Sequence, residues 1–170
     1  MTSKPIEKKK EQLVLALYPN AIGFGYAVMT NALNVLVSQV VNIRPISNKQ
    51  SLKRIKEIIN YYKPHIVVIE DYQGIGSRKS KRIQKVLDSI YLYAQKKHLK
   101  VRRYSRNDIR YVFSNFNAHT KHEIACVIAG NVKNMERKLR EPRKINESEK
   151  YVTGAFDAVS LGVTHFYMVE

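Results

Sequence analysis

Two acidic residues stand where an acid is costly or conspicuous. Glu70 directly follows Ile66-Val67-Val68-Ile69, four apolar residues in succession, and Asp157 lies among Ala155, Phe156, Ala158 and Val159. An ionised carboxylate in such surroundings persists only when it is paired or holds a cation. Asp71 adjoins Glu70, but successive strand residues face opposite sides, which argues against their acting together. His119 and His122 flank Thr120, a natural helix cap, and no Cys or acid completes a four-ligand zinc pattern around them. Cys126, inside Ile124-Ala125-Cys126-Val127-Ile128, reads as a buried structural thiol rather than a nucleophile. His165 follows Asp157 by eight residues on roughly the same helical side and reads first as a core or edge histidine. No Ser-His-Asp arrangement stands out.

The charge balance points to a partner. Among 170 residues, 30 Lys+Arg oppose 14 Asp+Glu, a formal net charge of +16. Nucleic acid is the natural polyanion, because Lys and Arg contacts to phosphate release condensed counterions. Residues 78–110 concentrate this charge, with twelve basic side chains against Asp88 and Asp108. Arg78, Lys79, Lys81, Arg82, Lys85, Arg103, Arg106 and Arg110 are the candidate nucleic-acid contacts. Four of them fall where a long helix begins. Cations there oppose the helix dipole, at a cost that a bound phosphate offsets. They follow Gly74-Ile75-Gly76-Ser77, a loop able to fit a backbone, and Tyr72, Tyr104 and Tyr111 could stack on unpaired bases nearby.

Other classes fit less well. With 44% hydrophobic and 26% charged residues the composition is globular. There is no run of about 18 apolar residues, no basic amphipathic helix and no secretory signal, so no membrane association and a cytoplasmic location are expected. The single cysteine fits a reducing compartment.

The elements that must position these residues follow a clear order. Residues 1–11 read as a flexible basic arm and 12–170 as one domain. Leu13–Leu17, Ile22–Met29 and Leu33–Ile43 predict three strands whose short connections allow only antiparallel pairing. Ser47-x-x-Gln50 caps a helix that Pro64 ends. Ile66–Ile69 predicts the central parallel strand. Ile83, Val86, Leu87, Ile90 and Ala94 mark a long helix, and Leu99–Tyr104 a further strand. Ser105-x-x-Asp108 and Thr120-x-x-Glu123 start two shorter helices, residues 133–150 read as loop or frayed helix, and Asn146-x-x-Glu149 opens a last helix through Val169. The expected fold is α/β: a five-stranded mixed sheet, three antiparallel strands then two parallel, with helices on both faces.

Element order and local motifs together resemble the RuvC family of Holliday-junction resolvases, within the RNase H-like superfamily. Leu15-Ala16-Leu17-Tyr18-Pro19-Asn20 and Gly25-Tyr26-Ala27-Val28 are similar to its first two strands. Val67-Val68-Ile69-Glu70 is similar to the strand ending in a catalytic Glu, Thr120-Lys121-His122-Glu123-Ile124 to its lysine-bearing helix start, and the segment from Asp157 to His165 to its C-terminal catalytic helix. The resemblance implies a homodimer that binds branched DNA and cuts it with two magnesium or manganese ions held by carboxylates. By position, Glu70 and Asp157 would be metal ligands and Lys121 would lie near the scissile phosphate.

The pattern departs from the family at two acids. Tyr18 stands where the resemblance calls for a bridging Asp before the Pro, and Gly154 where it calls for the second acid of the last helix. A phenol with a pKa near 10 replaces a carboxylate poorly. Weak or absent catalysis is therefore expected, although Asp71, Glu147 or Glu149 could compensate. Two readings stand: a RuvC-like endonuclease with an impaired site, and a non-catalytic module binding structured DNA or RNA on the same fold.

Overall fold

The computed structural model describes residues 11–139 and 153–169. All but one residue of the expected basic arm, the proposed helix start at Asn146, and Glu147 and Glu149 lie outside the described residues.

Three strands open the chain: β1 (Val14–Asn20), β2 (Gly23–Asn31) and β3 (Asn34–Asn42). Asparagines make their turns. Asn20 Oδ1 accepts from Ile22 N at 3.0 Å, and Asn31 Oδ1 accepts from Leu33 N and Asn34 N at 2.9 and 3.0 Å. Such side-chain-closed turns fix antiparallel hairpins, and both pairings are antiparallel. The helix α1 (Asn48–Tyr62) is capped by Ser47 and ends at Lys63 in the left-handed region, just before Pro64. It leads to β4 (Ile66–Glu70), which pairs parallel to β1. After α2 (Lys81–Lys96) comes β5 (Lys100–Tyr104), parallel to β4. The five-stranded mixed sheet, three antiparallel strands then two parallel, is as expected, and its order is β3-β2-β1-β4-β5, with β1 and β4 in the middle.

The remaining helices are α3 (Arg106–Ser114), α4 (Lys121–Asn131) and α5 (Thr153–Met168), with a short 3-10 turn at Glu136–Lys138 between the last two. Ser105 and Asp108 form a reciprocal capping box at the start of α3, and Thr120 accepts from Glu123 N at the start of α4.

Strand alternation sorts the core into two layers. Val14, Ala16, Tyr18, Ile66 and Val68 join α3, α4 and α5 on one face, whereas Leu15, Leu17, Val67 and Ile69 join α1 and α2 on the other. Helix α5 is buried without interruption from Gly154 to His165, as an all-round apolar helix must be. Its hydroxyls are satisfied locally: Ser160 Oγ donates to the Asp157 carbonyl and Thr164 Oγ1 to the Ser160 carbonyl, each at 2.7 Å.

Cys126 overturns its reading, because its position on α4 faces outward. It is exposed, and its sulfur lies 3.4 Å from His122 Nε2, one turn back. The apolar residues around it in sequence, Ile124, Ala125, Ile128 and Ala129, are the ones the helix buries.

Candidate functional site

The two acids singled out from sequence come together. Since Ala16 pairs with Val68, Tyr18 and Glu70 follow at the same end of adjacent parallel strands, and both face the layer containing α5. Helix α5 places Asp157 against that rim, the end of a parallel sheet where loops leave room for a site. Tyr18, Glu70 and Asp157 are buried, at 4%, 2% and 6% exposure.

Two lysines complete the cluster. Lys79 Nζ lies 3.2 Å from Glu70 Oε2 and donates to Tyr18 Oη at 2.8 Å. Lys121 Nζ lies 3.7 Å from Asp157 Oδ2 and donates to the same phenol oxygen at 3.2 Å. Lys79 Nζ also sits 4.1 Å from the centroid of the Tyr18 ring. The phenol is thus an acceptor shared by two ammonium groups, each of which faces one of the acids. Formally, the two lysines balance the two carboxylates.

The segment after β4 delivers Lys79 to this place. Asp71 Oδ1 accepts from Gln73 N at 3.1 Å, closing a turn, so Asp71 is spent on the loop. The start of α3 then holds the loop. Asn107 N donates to the Ile75 carbonyl and Arg106 N to Ser77 Oγ, both at 3.1 Å, and a Cβ on Gly74 would overlap Ser105. Gly76 has φ +82°, which glycine adopts without strain. Lys79 therefore enters the rim immediately before Ser80 caps α2.

The candidate nucleic-acid contacts divide into two groups. Arg78, Lys81, Lys85, Arg103 and Arg110 are exposed, and Arg78 and Lys81 lie on either side of Lys79 and Ser80 in the chain, where α2 begins. Arg103 is stacked 4.7 Å above the Tyr91 ring. The others are engaged within the protein. Lys79 serves Glu70 and Tyr18, Arg82 donates to the Asn20 carbonyl at 2.7 Å and to Asn48 Oδ1 at 3.1 Å, and Arg106 is buried. Of the three tyrosines suggested for stacking, Tyr111 is exposed and Tyr72 donates to Asp88 at 2.8 Å. Tyr104 is buried and shares a 2.8 Å hydrogen bond with His165 Nδ1, so it offers no face to a base. Burial, helped by Arg102 and Lys100, pushes the His165 imidazole down to about 4, leaving it a neutral core residue.

The donor set can be compared with what a pair of divalent ions requires. Two ions about 4 Å apart need several anionic oxygens between and around them. Among the described residues no group of three His, Cys, Asp or Glu converges. Each of the two acids that do converge faces an ammonium group instead. A dication about 4 Å from such an ammonium is opposed by roughly 8 kcal/mol at an effective dielectric of about 20. These residues do not fit a two-ion centre. Sequence reasoning named Lys121 beside the two acids, but it counted Lys79 only among the nucleic-acid contacts and missed its place against Glu70. Lys79 lies nine residues beyond Glu70, and no local pattern reports that the loop folds back.

The fold is that of RuvC-like RNase H proteins. The structure of Thermus thermophilus RuvC is similar with a TM-score of 0.62 and 18% identity, covering 92% of this chain and 95% of that one. The same protein in complex with a Holliday junction substrate gives 0.60 and 19%, over 92% and 95% of the two chains. Fowlpox virus resolvase in complex with substrate Holliday junction DNA gives 0.56 and 12%, over 92% and 98%. No protein-family model matches the chain. No curated protein matches it in sequence.

Proposed function

We propose that this chain binds branched DNA through the cations around the sheet's acidic rim and does not itself cut DNA by a two-ion mechanism. The observation carrying the reading is the placement of Lys79 and Lys121 on Glu70 and Asp157 around the Tyr18 hydroxyl. A phosphate reaching this rim meets the half-exposed Lys121 ammonium and the exposed Arg78 and Lys81 side chains. These groups bind phosphate through charge and hydrogen bonds, with no metal needed. The two structural neighbours described with Holliday junction DNA support branched DNA as the ligand. Homodimerisation belongs to the same proposal, since a four-way junction presents two equivalent strands.

Gel-shift titration compares a four-way junction with a linear duplex of equal length in EDTA, with cleavage followed after adding magnesium or manganese. The expected result is tighter binding to the junction in EDTA and no cutting with either ion. Equal affinity for both substrates would remove branched DNA from the proposal. The convergence of Glu70 and Asp157 favours one alternative, a metal-dependent endonuclease. Cleavage abolished by Glu70→Gln would establish it.

A further inference from the structure

We infer that the outer margin of β5 is a second nucleic-acid surface, which grips the backbone of one duplex arm over about five base pairs as that arm leaves the rim. This rests on the reading that the chain binds branched DNA, and it adds where the duplex part of such a ligand lies.

The charge on this margin is uncompensated. Residues 89–107 contain six Lys or Arg and no Asp or Glu. Lys96, Lys97, Lys100, Arg102 and Arg103 are all exposed, and among the described residues none of them is ion-paired with an acid. Strand geometry sets these cations in a row. Ile66 and Val68 belong to the layer facing α5 and pair with Lys100 and Arg102, so the two cations project on that side about 6.6 Å apart. Both act on His165 of α5, whose imidazole they help to push down. A tight turn, in which Leu99 N donates to the Ala94 carbonyl at 2.9 Å, brings Lys96 and Lys97 to the start of the strand. At its other end Tyr104 pairs with Glu70, and a Cβ on Gly76, in the loop leaving the rim, would stand 3.8 Å from Arg110 Nη1. The row therefore runs from the far end of β5 up to the rim.

Dimensions and chemistry select a duplex as the occupant. Five strand residues at about 3.3 Å each extend about 16 Å. Base pairs follow one another at about 3.4 Å, so this length spans about five of them, half of a helical turn, over which one backbone stays on the protein's side. A single strand would instead need rings on which its bases stack. This margin offers none. Tyr91 is stacked under Arg103, Tyr93 is flanked by Lys56 and Lys97, and Tyr104 is buried. Tyr61, Tyr111, Phe116 and Tyr167, the exposed aromatic residues among those described, all lie outside 89–107. As the edge of the sheet, β5 also has backbone N–H groups that no strand pairs, and these can donate to phosphate oxygens. The contact is to phosphate alone and is independent of base sequence.

Hydroxyl-radical footprinting of a four-way junction in EDTA, with gel-shift titration over a range of salt, tests the inference. The wild-type protein is expected to protect the branch and about five nucleotides of one arm per protomer. Lys100→Gln/Arg102→Gln is expected to lose the arm protection, to keep that at the branch and to lower the slope of log K against log salt by about 2. Lys96→Gln/Lys97→Gln is expected to shorten the arm protection from its end away from the branch. Lys49→Gln/Lys53→Gln removes equal charge from exposed positions on α1, which packs on the opposite face of the sheet, and is expected to leave the footprint whole. An unchanged footprint and slope in Lys100→Gln/Arg102→Gln would overturn the inference, as would an equal loss of arm protection in the α1 variant. A lowered melting temperature with unaltered binding would assign Lys100 and Arg102 to the end of α5 and overturn it too. The same fall in slope on a single-stranded oligonucleotide would overturn the duplex assignment. A linear duplex separates this inference from the proposed function. Wild-type binding to it as tight as to the junction would defeat the branched-DNA reading, whereas a slope lowered on that duplex by Lys100→Gln/Arg102→Gln would still uphold the contact along β5.

Discussion

Gly25 in β2 and Gly154 in α5 touch backbone to backbone: a Cβ built on Gly25 would overlap the carbonyl group of Gly154. A Cβ on Gly154 would in turn stand 2.9 Å from Asn20 Nδ2. The position where the resemblance calls for a second helix acid is thus filled by the contact that seats α5 on the sheet. Gly25→Ala is expected to destabilise the fold by about 3 kcal/mol or more, since backbone must move on both sides, as read by urea unfolding.

Tyr18→Phe keeps the ring and deletes the shared acceptor of Lys79 and Lys121. A stability loss of about 1–3 kcal/mol is expected, the usual cost of stranding partly buried donors. Thermal unfolding measures it, and Tyr111→Phe, at an exposed ring, is the control with no loss.

Arg78→Ala and Lys81→Ala test the exposed cations. Each is expected to weaken junction binding and to lower the slope of log K against log salt by about 1. Arg82→Ala is expected to act otherwise. It removes the donor to the Asn20 carbonyl and Asn48 and should lower the melting temperature.

Acidification should destabilise the protein through His165. Its folded-state value of about 4 lies below the ordinary 6.5, so an unfolded chain takes up a proton that the folded one refuses. The contribution is fully present above pH 6.5 and is lost as pH falls toward 4. The loss amounts to about 3 kcal/mol, from about 1.4 kcal/mol for each pH unit. Urea unfolding at pH 7 and pH 4.5 should show it, and His165→Gln should flatten the difference.

The helix starts were legible because their chemistry is local. Ser47, Ser105 and Thr120 each cap the backbone three residues on, and that spacing is visible in the chain. The apolar run Ile66–Ile69 likewise announces a strand covered on both faces. Glu70 and Asp157 reach the same rim of the sheet, although 87 positions separate them in the sequence. Contacts made through loops were not legible. Arg82 reaching Asn20 and Lys79 reaching Glu70 depend on how the 71–80 segment folds against α3, which no periodicity records. Cys126 shows a different limit: apolar neighbours in sequence do not give a residue's side of the helix.

The sheet order leaves β3 and β5 at its margins, and basic side chains occur at each. Lys138 donates to the carbonyl and hydroxyl of Ser38 in β3, and β5 carries Lys100, Arg102 and Arg103 along five residues. An incoming strand would have to displace the first lysine or stack against a row of like charges, so both margins resist β-addition. The charge concentrated on β5 thereby guards that margin against amyloid-like stacking.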